Sequence, residues 1–306
     1  MASPSIHSFF VNDSTLQSIE DEANYYRKSP NIIFLPCGLT FIKNTKGWAS
    51  IGGIIFGWAY ATYFAPAIIL WPRYDEDHIG LAPIILFYIL STGTIVSLFR
   101  AATADPGWVP FDMSPANPAK LDWTHCTRCL VKRPLKSHHC GKCQRCVRNM
   151  DHHCHWINNC VAEDNQWLFI LLVLYGALLS VYTLFLVALH FYYFPLCTLC
   201  NHLSFTHKYS KYLMYWQFAQ GLALVAICTS QVVVQVGNIL MNKTTIEEII
   251  NSSKPLHERQ AAPVVTKSAR DLFQKVCGDA PILCWLNPFR RRRLRPQIYY
   301  PQQHHV

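Results

Sequence analysis

The chain has 306 residues, 51% hydrophobic and 15% charged, with 13 cysteines and a formal net charge of +9. Its apolar residues are gathered into four long runs, which argues against an ordinary water-soluble domain. The positive charge would suit a nucleic-acid binder, but much of it lies between two apolar runs, where a membrane surface is the expected neighbour.

In chain order, residues 1–46 show no sustained periodicity and read as a largely flexible cytosolic arm. Ile32–Leu35, ahead of Pro36, is a short apolar patch, suited to a local turn or to touching the membrane surface. No cleavable signal peptide is visible, because the first apolar run starts too late.

About 20 apolar residues cross a bilayer core, and Trp48–Trp71, Ile79–Phe99, Trp167–Phe194 and Leu213–Met241 are all long enough. The first three contain no Lys, Arg, Asp or Glu. The expected fold is therefore an all-α polytopic membrane protein with four transmembrane helices. Helices 1 and 2 fall within residues 47–100, helices 3 and 4 within 166–242, and a C-terminal cytosolic segment covers 243–306. The first helix carries Gly53-x-x-x-Gly57, which predicts close approach of a neighbouring helix.

Between spans two and three lie nine basic residues: Arg100, Lys120, Arg128, Lys132, Arg133, Lys136, Lys142, Arg145 and Arg148. The positive-inside rule puts this loop and both termini in the cytosol. The sequons at Asn12, Asn242 and Asn251 then face the cytosol and should carry no glycan. Asp105-Pro106-Gly107 predicts a turn at the end of the second span.

The loop, residues 101–165, contains the stretch Cys126–Cys160, with seven cysteines and five histidines. C-x-x-C pairs stand at Cys126/Cys129, Cys140/Cys143 and Cys143/Cys146, a spacing that lets two thiolates meet on one tetrahedral Zn²⁺. Cytosolic thiols stay reduced, so metal or reactivity is expected here and disulfides are not. Two closed sites need eight ligands; six cysteines and two histidines supply them and leave one cysteine over. Cys154 is the best candidate for that spare thiol. Asp151, His152 and His153 precede it, and a carboxylate, imidazole and thiol are the parts of a nucleophile–base–orienter set. The loop after span three holds Cys197 and Cys200 on the opposite side of the membrane, where a disulfide is allowed.

The fourth span is the most polar, with Gln217, Gln220, Ser230, Gln231 and Gln235, residues expected to face protein. After it, Thr244-Thr245-Ile246-Glu247 reads as a capping box. The tail mixes Phe273, Val276, Ile282, Leu283 and Trp285 with the basic run Arg290–Arg293, suited to anionic headgroups or to phosphates.

Asp151-His152-His153-Cys154, the Cys and His spacing before it and Asn158-Asn159-Cys160 after it resemble the DHHC protein S-acyltransferases (palmitoyltransferases). Asp105-Pro106-Gly107, Asn165 with Phe169, and Thr244–Glu247 resemble that family's flanking motifs. The resemblance implies catalysis by Cys154, His152 and Asp151, with palmitoyl-CoA as acyl donor. It implies one structural Zn²⁺ on Cys126, Cys129, His139 and Cys146 and a second on Cys140, Cys143, His153 and Cys160. Spacing alone leaves that partition open, since Cys143 and Cys146 also form a pair.

The resemblance further implies that Trp156 covers the start of the acyl chain and that an aromatic C-terminal segment packs on the bundle, with Asn287 as its polar contact. Lys132, Arg133, Lys136 and the Arg290–Arg293 run are the candidates for the CoA phosphates. Implied partners are cysteine-containing membrane-associated proteins and membrane lipids, with no nucleic acid. The implied residence is the Golgi or endoplasmic reticulum, with the plasma membrane as alternative. Two departures stand out: His155 follows the nucleophile where the family usually has Pro, and Ala162 stands where Gly is common. Losing Pro loosens the backbone at Cys154, and the extra imidazole is placed to compete as base. The rival reading is a catalytically silent zinc-containing membrane scaffold.

Overall fold

The computed structural model describes residues 31–35, 38–110, 123–194, 197–259 and 266–290. Residues 1–30 of the arm with the Asn12 sequon, Pro36, Lys120 and Arg291–Arg293 lie outside them. Four helices carry the apolar runs: α1 (Thr45–Asp75), α2 (Ala82–Thr103), α3 (Gln166–Tyr192) and, after the one-turn α4 (Phe205–Lys208), α5 (Ser210–Leu240). The fold is thus mostly helical, with a cysteine-rich domain between the second and third membrane helices.

The first span is longer than its charge-free window. Pro66 lacks an N–H, and Pro66–Leu70 relaxes into a π turn rather than ending the helix. The helix then runs on through Arg73, which is buried because Glu76 pairs with it at 2.7 Å. The other carboxylate oxygen of Glu76 accepts from the Thr198 amide (2.6 Å) and the Thr198 hydroxyl (3.1 Å), in the loop closed by the Cys197–Cys200 disulfide. These contacts tie the α1–α2 and α3–α5 connections together at one end of the bundle. Beneath them lies a core of Ile68, Ile69, Leu70, Phe87, Leu179 and Met214.

At the other end the cysteine-rich domain docks by capping a helix. The last turn of α2 has carbonyls without intrahelical partners. Asn159 Nδ2 donates to those of Ala101 (3.2 Å), Ala102 (3.3 Å) and Ala104 (2.8 Å), and Thr40 Oγ1 to that of Thr103 (3.1 Å). Asp105 Oδ1 closes the turn that follows by accepting from the Gly107 and Trp108 amides, with Gly107 at φ 107°, a left-handed value that suits glycine.

Two expectations for the N-terminal half need correction. Residues 32–42 are not part of a flexible arm. Strands β1 (Ile32–Phe34) and β2 (Thr40–Ile42) form an antiparallel hairpin, and Ile32 and Ile42 are buried against Trp108, Cys140 and Cys143. Gly53 and Gly57 do not seat a neighbouring helix backbone. Both line a cavity inside the bundle, and the neighbour of Gly57 is the Gln220 side chain, which donates to its carbonyl at 2.9 Å.

Beyond α5, helix α6 (Thr245–Ser252) begins with the expected capping box of Thr244 and Glu247. Helices α7 (Ala269–Cys277) and α8 (Ile282–Trp285) follow, and Trp285 packs on the cluster that joins the domain to the bundle. Asn287 is not the bundle contact; its side chain accepts from Phe289. The contacts are instead Tyr175, whose hydroxyl donates to the Leu286 carbonyl (2.7 Å), and Arg100, which donates to the carbonyls of Pro288 and Arg290.

Candidate active site

Three short antiparallel hairpins build the cysteine-rich domain: β3–β4 (Thr124–Cys126, Val131–Arg133), β5–β6 (His138–Cys140, Arg145–Val147) and β7–β8 (His152–Cys154, Asn159–Val161). They repeat every 14 residues. His-Cys ends the first strand at His125-Cys126, His139-Cys140 and His153-Cys154, and the turns carry Leu130, Gln144 and Asn158 at φ 57°, 57° and 47°. In the first two turns the second cysteine of C-x-x-C donates its amide to the first sulfur, Cys129 to Cys126 and Cys143 to Cys140, each at 3.4 Å.

Each metal-type cluster draws on two hairpins. The ligand atoms of Cys126, Cys129, His139 and Cys146 lie within 4.8 Å of one another, as do those of Cys140, Cys143, His153 and Cys160. Tetrahedral bonds of about 2.3 Å to sulfur and about 2.05 Å to nitrogen put S···S near ~3.8 Å and S···N near ~3.6 Å. The second cluster matches: Cys143 and Cys160 sulfurs are 3.6 Å apart, and His153 Nδ1 is 3.5 Å from Cys140 and Cys143 and 3.7 Å from Cys160. Electrostatics point the same way. Hydrogen bonds from Cys143 and Cys160 pull the Cys140 thiol far below the ordinary range, while Cys160 is pushed well above it. So close a group of thiols shares few negative charges without a cation.

Cys154 belongs to neither cluster. It occupies the place that Cys126 and Cys140 hold in their hairpins, but the third hairpin has Ile157 where theirs have Cys129 and Cys143. It is 6% exposed and packs with Leu98 and Ala101 of α2 and Leu168 and Leu171 of α3, at the domain-facing ends of the membrane helices.

The groups beside it are braced from several elements. Asp151 is buried, and its Oδ2 lies 2.8 Å from His152 Nδ1. The same carboxylate accepts from Gln235 of α5 (2.8 Å), the Thr245 amide (2.7 Å) and hydroxyl (3.0 Å), and Asn238 (3.3 Å). Burial raises the Asp151 carboxyl, but these bonds outweigh it and hold the value below the ordinary one. Burial would lower His152; hydrogen bonds to Asp151 and Cys154, and their charges, lift it instead to about 9. The Phe169 ring stands edge-on to the His152 ring at 5.4 Å. Asn165 is fully buried and donates to the Cys160 carbonyl at 2.7 Å. His155 lies edge-on to the ligand His153, with ring centroids 5.7 Å apart.

Trp156 joins two spaces. It lines an open vestibule with His152, Cys154, His155 and Thr245, and also a cavity of about 430 Å³ among α1, α3 and α5. The basic candidates divide. Arg133 and Lys136 line a groove of about 670 Å³ with His138, Lys243 and Lys254, alongside α6, whose first residue borders the vestibule. Lys136 also pairs with Glu247 at 3.2 Å. Lys132, one residue along a strand from Arg133, is exposed and does not line that groove. Gln235 and Asn238 are the members that sequence reasoning did not place at the site. The polarity of Gln235 within an apolar helix was the available signal.

A sequence model described as DHHC palmitoyltransferase matches residues 120–252. Palmitoyltransferase ZDHHC21 of Mus musculus is 35% identical over 253 residues, 83% of this chain and 93% of the mouse protein. Palmitoyltransferase ZDHHC7 of Mus musculus is 32% identical, covering 94% of this chain and 91% of that protein. Palmitoyltransferase ZDHHC3 of Homo sapiens is 30% identical over 81% of this chain and 83% of its own length. With its four membrane-spanning helices, two Cys/His clusters and matched sequence, the chain belongs to the DHHC palmitoyltransferase family.

Proposed function

We propose that this protein is an S-acyltransferase that moves a long-chain acyl group from acyl-CoA to cysteines of membrane-associated proteins through an acyl-Cys154 intermediate. One observation carries the reading. The only cysteine of the 14-residue repeat left outside both metal clusters shares a vestibule with a carboxylate-backed imidazole, His152, and Trp156, two residues on, opens into an apolar cavity.

In the first step the Cys154 sulfur attacks the thioester carbonyl carbon; the new C–S bond forms as the bond to the CoA sulfur breaks. CoA leaves as a thiolate and takes the proton held at His152. In the second step an acceptor cysteine gives its proton to His152 and attacks the acyl-Cys154 carbonyl, regenerating the enzyme. Asp151 holds the imidazole in one tautomer and orientation. Its neighbours on α5 and α6 keep it ionised.

Both clusters hold Zn²⁺ in this reading, as closed four-ligand sites that fold a domain with little core of its own. The acyl chain lies in the cavity among α1, α3 and α5, where each buried methylene contributes about 0.8 kcal/mol. Arg133 and Lys136 meet the CoA phosphates in the groove beside α6. The domain faces the cytosol, where acyl-CoA and reduced acceptor thiols are found.

The test is incubation of purified protein with palmitoyl-CoA. We expect hydroxylamine-sensitive acylation of the wild type, lost in Cys154→Ser, and about two zinc ions per chain by metal analysis. Label that persists at full level in Cys154→Ser would remove this assignment.

A further inference from the structure

The cavity changes character along its length. α1 lines it from Ser50 to Ala61, α3 from Leu172 to Thr183 and α5 from Cys228 back to Gln217. Eleven residues of helix make it about 16 Å deep, with Trp156 at the domain end. Nearer the domain it is bordered by Ile54, Leu172, Val173 and Leu224, whereas the far half gathers Ser180, Thr183, Gln217 and Gln220 beside Trp58 and Leu179. A pocket built only for the methyl end of an alkyl chain has no use for four polar side chains.

Their hydrogen bonds sharpen the point. Ser180 and Thr183 donate their hydroxyl protons to their own helix, to the carbonyls of Gly176 and Leu179, each at 2.7 Å, which leaves oxygen lone pairs toward the cavity. Gln220 uses its amide N–H on the Gly57 carbonyl at 2.9 Å, and its Oε1 is buried without a partner. Gln217 is 2% exposed, its Oε1 is also buried without a partner, and its side chain makes no hydrogen bond among the described residues. A buried amide that bonds to nothing is costly, and native proteins rarely keep one without a ligand or water to satisfy it. The far end therefore offers several acceptors and, on Gln217, a free N–H beside them. A hydroxyl, at once donor and acceptor, matches that set.

We propose that the far end of this cavity recognises a hydroxyl group at or near the tip of the acyl chain, and that Gln217 is the residue that reads it. Long-chain ω-hydroxyacyl-CoA is the substrate class implied. The inference rests on the acyl-transfer reading above, since it assigns the cavity to the chain carried by Cys154.

The experiment compares kcat/KM for acyl-Cys154 formation by the purified full chain with matched pairs of plain and ω-hydroxy acyl-CoA, in lengths that bring the hydroxyl to different depths. The same pairs are run on Gln217→Met, which keeps the volume and removes the amide. We expect that at one length the hydroxy donor equals or exceeds the plain one in the wild type. In Gln217→Met the ratio of hydroxy to plain donor should fall by about tenfold or more. The proposal is overturned if the wild type disfavours the hydroxy donor tenfold or more at every length, whatever the variant does. An equal hydroxy-to-plain ratio in wild type and variant overturns it too, and would assign the amide to a buried water. Failure of the wild type to acylate with any donor would instead strike the acyl-transfer reading.

Discussion

Gln235 donates its amide to Oδ2 of Asp151 at 2.8 Å, so the carboxylate that orients His152 is held by the last membrane helix. Gln235 is in turn held by Gln166 at the start of α3, 2.9 Å away. Geometry at the vestibule therefore depends on how α3 and α5 pack, not only on the cysteine-rich domain. A hydrogen bond to a charged group contributes about 1.5–3 kcal/mol. Gln235→Leu should thus slow formation of acyl-Cys154 by about 10–100-fold while leaving the metal content unchanged. Wild-type rates in a well-folded Gln235→Leu protein would show that the brace is not used.

The Asp151–His152 pair also sets a pH dependence. His152 is lifted from its ordinary 6.5 to about 9. A histidine with a raised folded-state value stabilises the fold fully below its unfolded value and loses that contribution as pH rises through the folded one. The window runs from about 6.5 to about 9, and the full contribution is on the order of 3 kcal/mol. Asp151→Asn removes the partner charge and turns a donor toward the donors of Thr245, Gln235 and Asn238. The variant should melt below the wild type throughout, and the gap should narrow as pH is raised from 6.5 to 9.5. A gap that is constant or widens with pH would contradict the pairing, because the metal sites are common to both proteins.

Asn159 joins the domain to the bundle by capping three carbonyls of α2, and its Oδ1 accepts from the Cys160 amide at 2.9 Å. Asn159→Leu keeps the size and abandons all of these bonds in a buried place. At about 0.5–1.5 kcal/mol for each bond, the loss should be about 2–6 kcal/mol. Thermal melting and limited proteolysis of the residues after α2 would read it; an unchanged melting temperature and cleavage pattern would rule out this junction.

Much of this was legible because membrane spans and metal ligands leave strong marks on sequence. Apolar length alone placed α1, α2, α3 and α5, with ends displaced where Arg73 and Thr103 find partners that no window of hydropathy can see. Counting ligands singled out Cys154 because closed sites require even sets of four. The hairpin at Ile32–Ile42 was not legible. Its strands are three residues long, and their stability comes from packing on Trp108 and the ligand cysteines rather than from local pattern. The 14-residue repeat was visible all along in the His-Cys pairs at 125, 139 and 153. Reading the cysteines as C-x-x-C pairs hid it, because the third unit carries Ile157 in place of a cysteine.

That substitution suggests the most direct test of how the nucleophile is kept free. In the first two hairpins the residues equivalent to Cys154 and Ile157 both reach a single metal cluster. Ile157 is fully buried, so a smaller side chain fits there without displacing backbone. Ile157→Cys should bring a second thiol to Cys154 as Cys129 stands to Cys126. Air-oxidised protein should then lose acylation of Cys154 through a disulfide, and reductant with a chelator should restore it. Added zinc should suppress the reduced form again, since two thiolates beside His155 offer a partial site. Ile157→Val, which trims the same side chain but adds no sulfur, should acylate within about tenfold of wild type and ignore reductant. If Ile157→Cys is indifferent to oxidant, reductant and zinc alike, the third turn does not hold its residues as the first two do.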